Sequence, residues 1–530
     1  MSELASGQRN SRSRRFSYSL GALPLSRRLL LPLVFVSGMA SLAAEFGASR
    51  LLAPYFGTSL YVWGVLIGLI LIYLSAGYVI GGRLADRHPR EEVLYQITAW
   101  AGLWIGVIPL VSYPILLASQ QGFKDLSVGL VAGTLLAVVL LFAVPVILLG
   151  CVSPFAIRLL LKNVETGGNT AGRVYALSTG GSILGTFLPV FWFIPTYGTR
   201  PTLEGFGLAL ILVSVAGLWP RRKLYASFAV AVILAWIFLP SGIKPPQVGT
   251  LVYEKESAYH YIQVVQVGTR TELILNEGEA VHSIYDSAGL LTGGPWDYFV
   301  IADSFRPAQS SEPEPKDIAI LGLAGGTAAR QYTAAFGSGV DITGVEIDPE
   351  ILNVAKRYFH LDEPNVHPVA ADARYWLNTQ AGLYDVIVVD AYRQPYIPFH
   401  LTTREFFSEV RAHLKPGGVL VVNAGRTATD YRLVDAIAST MNAVYPNVFL
   451  VDVPEFANTL VYGSTEPTTL ADVQHNLGLI KEPLAQSVAS SAMGEGNLRG
   501  SEYHSQVFTD DLAPVERLID QIIFSYITGG

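Results

Sequence analysis

The sequence predicts an α-helical, multi-span membrane domain, then a small β domain, then a doubly wound α/β domain. Three observations predict it. Of the 530 residues, 51% are hydrophobic and only 15% charged, with a mean hydropathy of +0.38. That excess is concentrated before residue 242, the mark of a membrane half followed by a water-exposed half. The stretch from Ile318 to Tyr392 reads strand, glycine turn, helix, strand, and its strands end in glycine or an acid. The expected boundaries are 1–28 for a basic cytoplasmic N-terminus, 29–241 for the membrane domain and 251–300 for the β domain. The doubly wound domain is expected at 317–465, and a tail with a closing helix at 466–530.

The N-terminus carries Arg9, Arg12, Arg14, Arg15, Arg27 and Arg28. A basic start before an apolar run is also the pattern of a secretion signal. The run from Leu29 is long and lacks a convincing cleavage site, so a retained first span is expected. Seven apolar stretches, 29–49, 59–82, 93–119, 127–150, 174–197, 202–219 and 223–240, lie near the length a bilayer requires. Loops bearing Arg83/Arg87/Arg90, Arg158/Lys162/Arg173 and Arg221/Arg222/Lys223 alternate with poorly charged ones holding Arg50, Lys124 and Arg200. The positive-inside rule then puts the N-terminus in the cytoplasm and, after seven spans, the C-terminal half outside. The shortest spans, 202–219 and 223–240, are the weak point of that count: if either is re-entrant or lies in the interface, the C-terminal half returns inside. Gly181-x-x-x-Gly185 predicts close helix packing. Glu45, an acid at membrane depth, is a functional-site candidate, with pairing to Arg50 or a loop arginine as the plainer alternative.

Residues 241–250 form a linker rich in Pro and Gly. Tyr259–Val267 and Thr271–Leu275 alternate as strands about a turn at Gly268. The run Ile318–Leu321 ends in Gly322-Leu323-Ala324-Gly325-Gly326-Thr327, and a helix follows. Glycines there let the backbone approach a ligand and expose helix N–H groups. Glu346 ends the next strand at the spacing of a carboxylate that grips ribose hydroxyls. Asp348 before Pro349 has the pattern of a helix cap as well as of a site acid. Asp372 and Asp390 close the following two strands. Thr402–Leu414 reads as a helix stopped by Lys415-Pro416-Gly417-Gly418, with strands at 419–423, 448–453 and 459–463. The stretch 484–501 reads as small and polar.

Composition excludes several classes. A net charge of −7 and a pI near 5.8 argue against a nucleic-acid binder. Cys151 is the single cysteine, so no internal disulfide forms, and no ligand cluster has zinc spacing. Cys151 itself ends an apolar run and is expected to pack.

The C-terminal half resembles the spermidine synthases, the polyamine aminopropyltransferases, over roughly 251–465 plus Thr509–Glu516. The whole chain resembles their bacterial membrane-fused form. The resemblance rests on Ser257-Ala258-Tyr259-His260, Leu273–Gly278, Trp296-Asp297-Tyr298, Gly325–Gln331, Glu346-Ile347-Asp348, Asp372, Tyr384–Asp390 and Leu414–Gly418. It implies a Rossmann-like fold of the class I methyltransferase type. It also implies a small-molecule amine and a nucleoside as substrates: the aminopropyl group of decarboxylated S-adenosylmethionine, a co-substrate, passes to a putrescine-like amine. Spermidine and methylthioadenosine would be the products. No permanently bound cofactor or metal is implied. Asp390 would be the catalytic base. Gly322, Gly325, Gly326, Glu346, Asp348 and Asp372 would bind the nucleoside, and Tyr259, His260, Asp297 and Tyr392 the amine. The family has an acid at the positions of Ala324 and Arg393, and a Gln at that of His260. Asp510, Asp511 and Glu516 are the acids available to replace them, if the tail folds back. A lipid bilayer is the expected partner, a dimer is open, and no nucleic acid is expected. The cell membrane is the expected location. Loop charge puts the C-terminal half outside, whereas the substrates point to the cytoplasm. Two other readings fit these residues: a catalytically inactive nucleoside-binding domain that regulates the membrane half, and a small-molecule methyltransferase.

Overall fold

The structure, a computed structural model, describes residues 24–57, 60–122, 129–239, 243–276, 280–392, 397–501 and 505–528. Arg9, Arg12, Arg14, Arg15, Lys124, Glu277, Gly278 and Arg393 lie outside the described residues. The first half is helical: α1 (Leu25–Arg28), α2 (Leu30–Phe56), α3 (Leu60–Arg87), α4 (Glu91–Gly122), α5 (Gly129–Gly150), α6 (Val152–Leu160), α7 (Gly167–Leu188), α8 (Ile194–Tyr197), α9 (Thr199–Leu218) and α10 (Ala226–Phe238). A π turn, Pro189–Phe193, joins α7 to α8.

Six of these helical stretches are long and apolar enough to cross a membrane by length and composition. The expected span 202–219 is one of them, as α9. The expected span 223–240 is shorter: α10 has 13 residues, about 20 Å at the helical rise, against a hydrocarbon core of about 30 Å. Glycine sets the closest helix contacts. A Cβ on Gly181 would sit 2.0 Å from Phe35 O, and one on Gly185 2.1 Å from Met39 O. Close backbone approach at these glycines supplies the helix packing, as the small-residue spacing predicts.

The second half begins with an antiparallel sheet in the order β1 (Thr250–Glu256), β2 (Tyr261–Val267), β3 (Arg270–Leu275), β4 (Val281–Asp286). A 3₁₀ segment, Pro295–Ser304, follows. Then come β5 (Asp317–Leu321), α11 (Thr327–Phe336), β6 (Asp341–Glu346), α12 (Pro349–Tyr358), β7 (Val366–Ala370), α13 (Ala373–Thr379) and β8 (Tyr384–Val389). The chain continues through α14 (Arg404–Ala412), β9 (Leu414–Gly425), α15 (Arg432–Asn442), β10 (Asn447–Val453) and β11 (Asn458–Ser464). It closes with α16 (Leu470–Leu479), α17 (Pro483–Ala492), β12 (Arg499–Gly500) and α18 (Val515–Thr528).

The large sheet has the order β12-β10-β11-β9-β8-β5-β6-β7. β5 pairs in parallel with both β6 and β8, so the winding reverses there and a crevice opens at the strand C-termini. β9 is parallel to β8, while β11 and β10 return antiparallel. Alternate strand residues face two cores. Ile318 and Ile320 pack with Tyr332, Leu477 and Val488; Ala319 and Leu321 pack with Trp376, Phe406 and Ile437. The stretch 484–501 differs from its polar reading. Ala485, Val488, Ala489 and Ala492 recur at helical spacing and bury one face of α17 in the first core.

Candidate active site

The crevice holds a cavity of about 930 Å³. Each of β5, β6, β7 and β8 delivers a residue to it, because a parallel strand ends there and the chain must turn into a helix. Gly322 follows β5, with φ +102°, and a Cβ there would lie 2.4 Å from Asp390 O. Only glycine lets this turn approach the end of β8 so closely. Glu346 ends β6 and is buried. Its Oε2 accepts from Ala324 N–H at 3.1 Å, and its Oε1 from Asp348 N–H at 3.1 Å. Burial pushes its carboxyl above the usual range, against the pull of nearby His260 and of the two N–H groups. Asp372 lines the cavity and caps α13, accepting from Tyr375 N–H at 2.9 Å.

Asp390 follows β8. Asn423 Nδ2 donates to its Oδ1 at 2.8 Å. Burial pushes its carboxyl up to about 7, although hydrogen bonds from Asn423 and Trp296 oppose the shift. Tyr259 and His260 line the cavity beside Glu346. His260 Nδ1 lies 3.0 Å from Asp348 Oδ2. Tyr392 lines it too, but its hydroxyl is occupied: it donates to Asn423 O at 2.9 Å and accepts from Gly425 N–H at 2.8 Å.

Four expected residues have other work. Asp297 does not line the cavity. Its carboxylate accepts from Thr292 N–H and Oγ1, Gly293 N–H and Gln331 Nε2, which fixes the turn before the 3₁₀ segment. Its neighbours Pro295 and Trp296 line the cavity instead. Asp348 caps α12 through Glu350 N–H at 3.0 Å and accepts from Ser257 Oγ, so the helix-cap pattern describes it and it too is absent from the lining. Gly325 and Gly326 also stand back from the lining. Gly325 N–H donates to Ser283 Oγ at 2.8 Å, and Gly326, with φ +85°, packs on Leu361 at the start of α11. Gly322 and Ala324 are the turn residues that reach the cavity.

Other lining residues escaped the sequence reading. Asn423 ends the apolar run Val419–Val422 beside Asp390, and the strand-end rule that singled out the acids applies to it equally. His282 on β4 lines the cavity, and burial, with His260 nearby, lowers it to about 3. The tail does fold back: α18 brings Glu516, Ile519 and Ile522 to the cavity wall. Asp510 instead pairs with Arg374 at 2.8 Å. Among the described residues no cluster of potential ligands is placed to hold a metal ion.

Residues 306–474 match the family model "Spermine/spermidine synthase domain". The chain is 35% identical over 321 residues to a "Probable polyamine aminopropyl transferase" of Bifidobacterium longum, covering 55% of this chain and 70% of that one. It is 25% identical over 415 residues to a "Polyamine aminopropyltransferase" of Oceanobacillus iheyensis, covering 73% of this chain and 77% of that one. Among solved structures, a probable spermidine synthase from Corynebacterium glutamicum is similar with a TM-score of 0.39 and 17% identity, over 51% of this chain and 98% of that one. The family match spans the sheet that carries Glu346 and Asp390, and the identity to the Bifidobacterium relative extends well beyond it; the chain belongs to the polyamine aminopropyltransferase family and is an enzyme of that class.

Proposed function

We propose that the protein transfers an aminopropyl group from decarboxylated S-adenosylmethionine to a putrescine-like amine at a membrane-anchored site. The amine nitrogen attacks the carbon beside the sulfonium. The C–S bond breaks, its electron pair stays on sulfur, and methylthioadenosine leaves. The attacking amine has a pKa near 10 in water, so it must lose a proton to a neighbouring base. Asp390 is that base. The observation that carries this reading is its half-buried place on the cavity wall at the end of β8, where Asn423 Nδ2 donates to it at 2.8 Å; loss of solvent lifts its carboxyl to about 7. Glu346 takes the ribose and Asp372 the adenine edge. Among the described residues Glu516 is the remaining lining acid for the distal ammonium of the amine, in place of the acid that the family has at the position of Arg393.

Loop charge, and not the substrates, is what we take to choose a side of the membrane. The basic loops gather at one end of the bundle, tied by Arg27–Glu91 at 2.8 Å and Arg221–Glu92 at 2.7 Å. The catalytic half packs on the opposite end, where Tyr55 Oη donates to Ile243 O and Lys244 Nζ to Pro54 O. By the positive-inside rule the catalytic half faces away from the cytoplasm. Reporter fusions after Arg90 and Lys244 test it: cytoplasmic at the first and external at the second is expected, and a cytoplasmic signal at both overturns it. For the chemistry, purified protein incubated with decarboxylated S-adenosylmethionine and a panel of diamines should release methylthioadenosine. Nucleoside binding without release from any amine defeats the transferase assignment.

A further inference from the structure

The loop after β1 links the catalytic cavity to the helical bundle. Ala258, Tyr259 and His260 form one rim of the cavity, and His260 Nδ1 lies 3.0 Å from Asp348, two residues after Glu346, so the rim that the resemblance gave to the amine stands against the nucleoside acid. Within the loop, Ser257 Oγ accepts from Tyr259 N–H at 3.0 Å and His260 N–H at 2.8 Å, and donates to Asp348. That ties the rim to the segment carrying Glu346. Two bundle residues hold the same loop from the other side. Arg50 Nη2, in the last turns of α2, donates to Ala258 O at 2.5 Å. Thr199, the first residue of α9, donates its N–H to Glu256 Oε2 and its hydroxyl to Glu256 Oε1 at 2.5 Å.

Glu256 is buried, and burial pushes its carboxyl up, opposed first by Thr199 and then by Arg50. A buried carboxylate needs such partners. It finds them at the N-terminus of a long apolar helix, where free N–H groups and the helix dipole favour negative charge. The residue just before the rim loop is therefore anchored to the bundle, and the loop's own carbonyl is held by a bundle guanidinium.

We propose that the bundle is a working part of the nucleoside site: Arg50, with Thr199 behind Glu256, positions loop 256–260 and thereby sets the affinity for the donor nucleoside. Neither residue lines the cavity, so both act through the loop as positioning residues. The proposal rests on the reading that this cavity binds the donor. The strand ends supply Glu346, Asp372 and Asp390 to the cavity, and loop 256–260 on its rim is held from the bundle.

The test uses the full chain in detergent micelles, with methylthioadenosine as the calorimetric probe. Arg50→Met should weaken binding about tenfold, while turnover at saturating donor changes less than twofold. Arg50→Lys, which keeps a donor and a charge, should recover to within about threefold of wild type. Thr199→Val should weaken binding about threefold, and it carries the test alone if Arg50→Met does not fold. Wild-type affinity in the folded variants overturns the proposal. So does a fall in turnover at unchanged affinity, which marks general destabilisation. If the wild type itself fails to bind methylthioadenosine, the donor-site reading fails first and the proposal falls with it.

Discussion

The helical bundle and the α/β domain use the same residue types for opposite ends. In the bundle, Gly181 and Gly185 let α7 meet the α2 backbone, and the contact is pure assembly. In the sheet, Gly322 lets a turn meet the main chain of Asp390, and that approach shapes a site. Acids divide the same way. Glu204 is fully buried against Arg200 at 2.9 Å, a pair confined within α9. Glu346, Asp372, Asp390 and Glu516 instead face a cavity of about 930 Å³. What differs is the surroundings. Within the apolar bundle a polar group pairs inside the helices, and small residues supply close contact. At the strand ends of a parallel sheet, backbone and side chains point into an open crevice.

The largest expected effect breaks the chemistry and spares the assembly. Asp390→Asn keeps the shape and the Asn423 neighbour but cannot take a proton. Turnover should fall by a factor on the order of 10² to 10⁴, with methylthioadenosine binding by calorimetry little changed. Equal turnover would remove Asp390 from the mechanism. The sign of its pH dependence follows from the raised value. The carboxyl is protonated below about 7, so wild-type kcat/KM should fall as pH drops through 7 and level off above it. The same shift, from 3.8 to about 7, means that ionising Asp390 costs stability as pH rises through the folded value. Asp390→Asn should therefore raise the thermal transition at pH 8, by an amount on the order of 2–4 kcal/mol.

The next effect breaks assembly. Gly185→Ile drives a branched side chain into Met39 O, where even a Cβ would lie at 2.1 Å. A loss of about 3 kcal/mol or more is expected, seen as a lowered melting transition of the full chain. An unchanged transition would show that α2 and α7 separate without cost. Smaller again, Glu346→Gln should weaken methylthioadenosine binding by about 1.5–3 kcal/mol, the scale of a hydrogen bond to a charged group. Unaltered binding would put the ribose elsewhere. The smallest effect sharpens the acceptor end. Glu516→Gln should raise the diamine KM about three- to tenfold, close to 1 kcal/mol, and leave the donor KM alone. A donor effect of equal size would make α18 a general wall of the cavity.

The sequence by itself determined the fold class, the succession of strands β5 to β8 along the chain, the glycine packing of α7 and the strand-end places of Glu346, Asp372 and Asp390. These are legible because period and position decide them. An apolar parallel strand must bury both faces, so its polar residue falls at its end, and its end is the crevice. Tertiary structure decided the rest. Asp297 and Asp348 carry the same chemistry as the lining acids, yet nearby N–H groups take them up; the Asp-Pro pattern announces the cap at Asp348, whereas nothing in the spacing marks the turn that holds Asp297. His282, Trp296 and Glu516 come from separate elements that meet only when the sheets and α18 pack. The tie from Glu256 to Thr199 joins residues 57 positions apart. Charge counting along the loops already expects the catalytic half at the end away from the basic loops, but only packing shows the residues it rests on there, Pro54 and Tyr55 of α2. A linear pattern records which side of its own element a residue occupies; the partner it meets there depends on how the elements are docked.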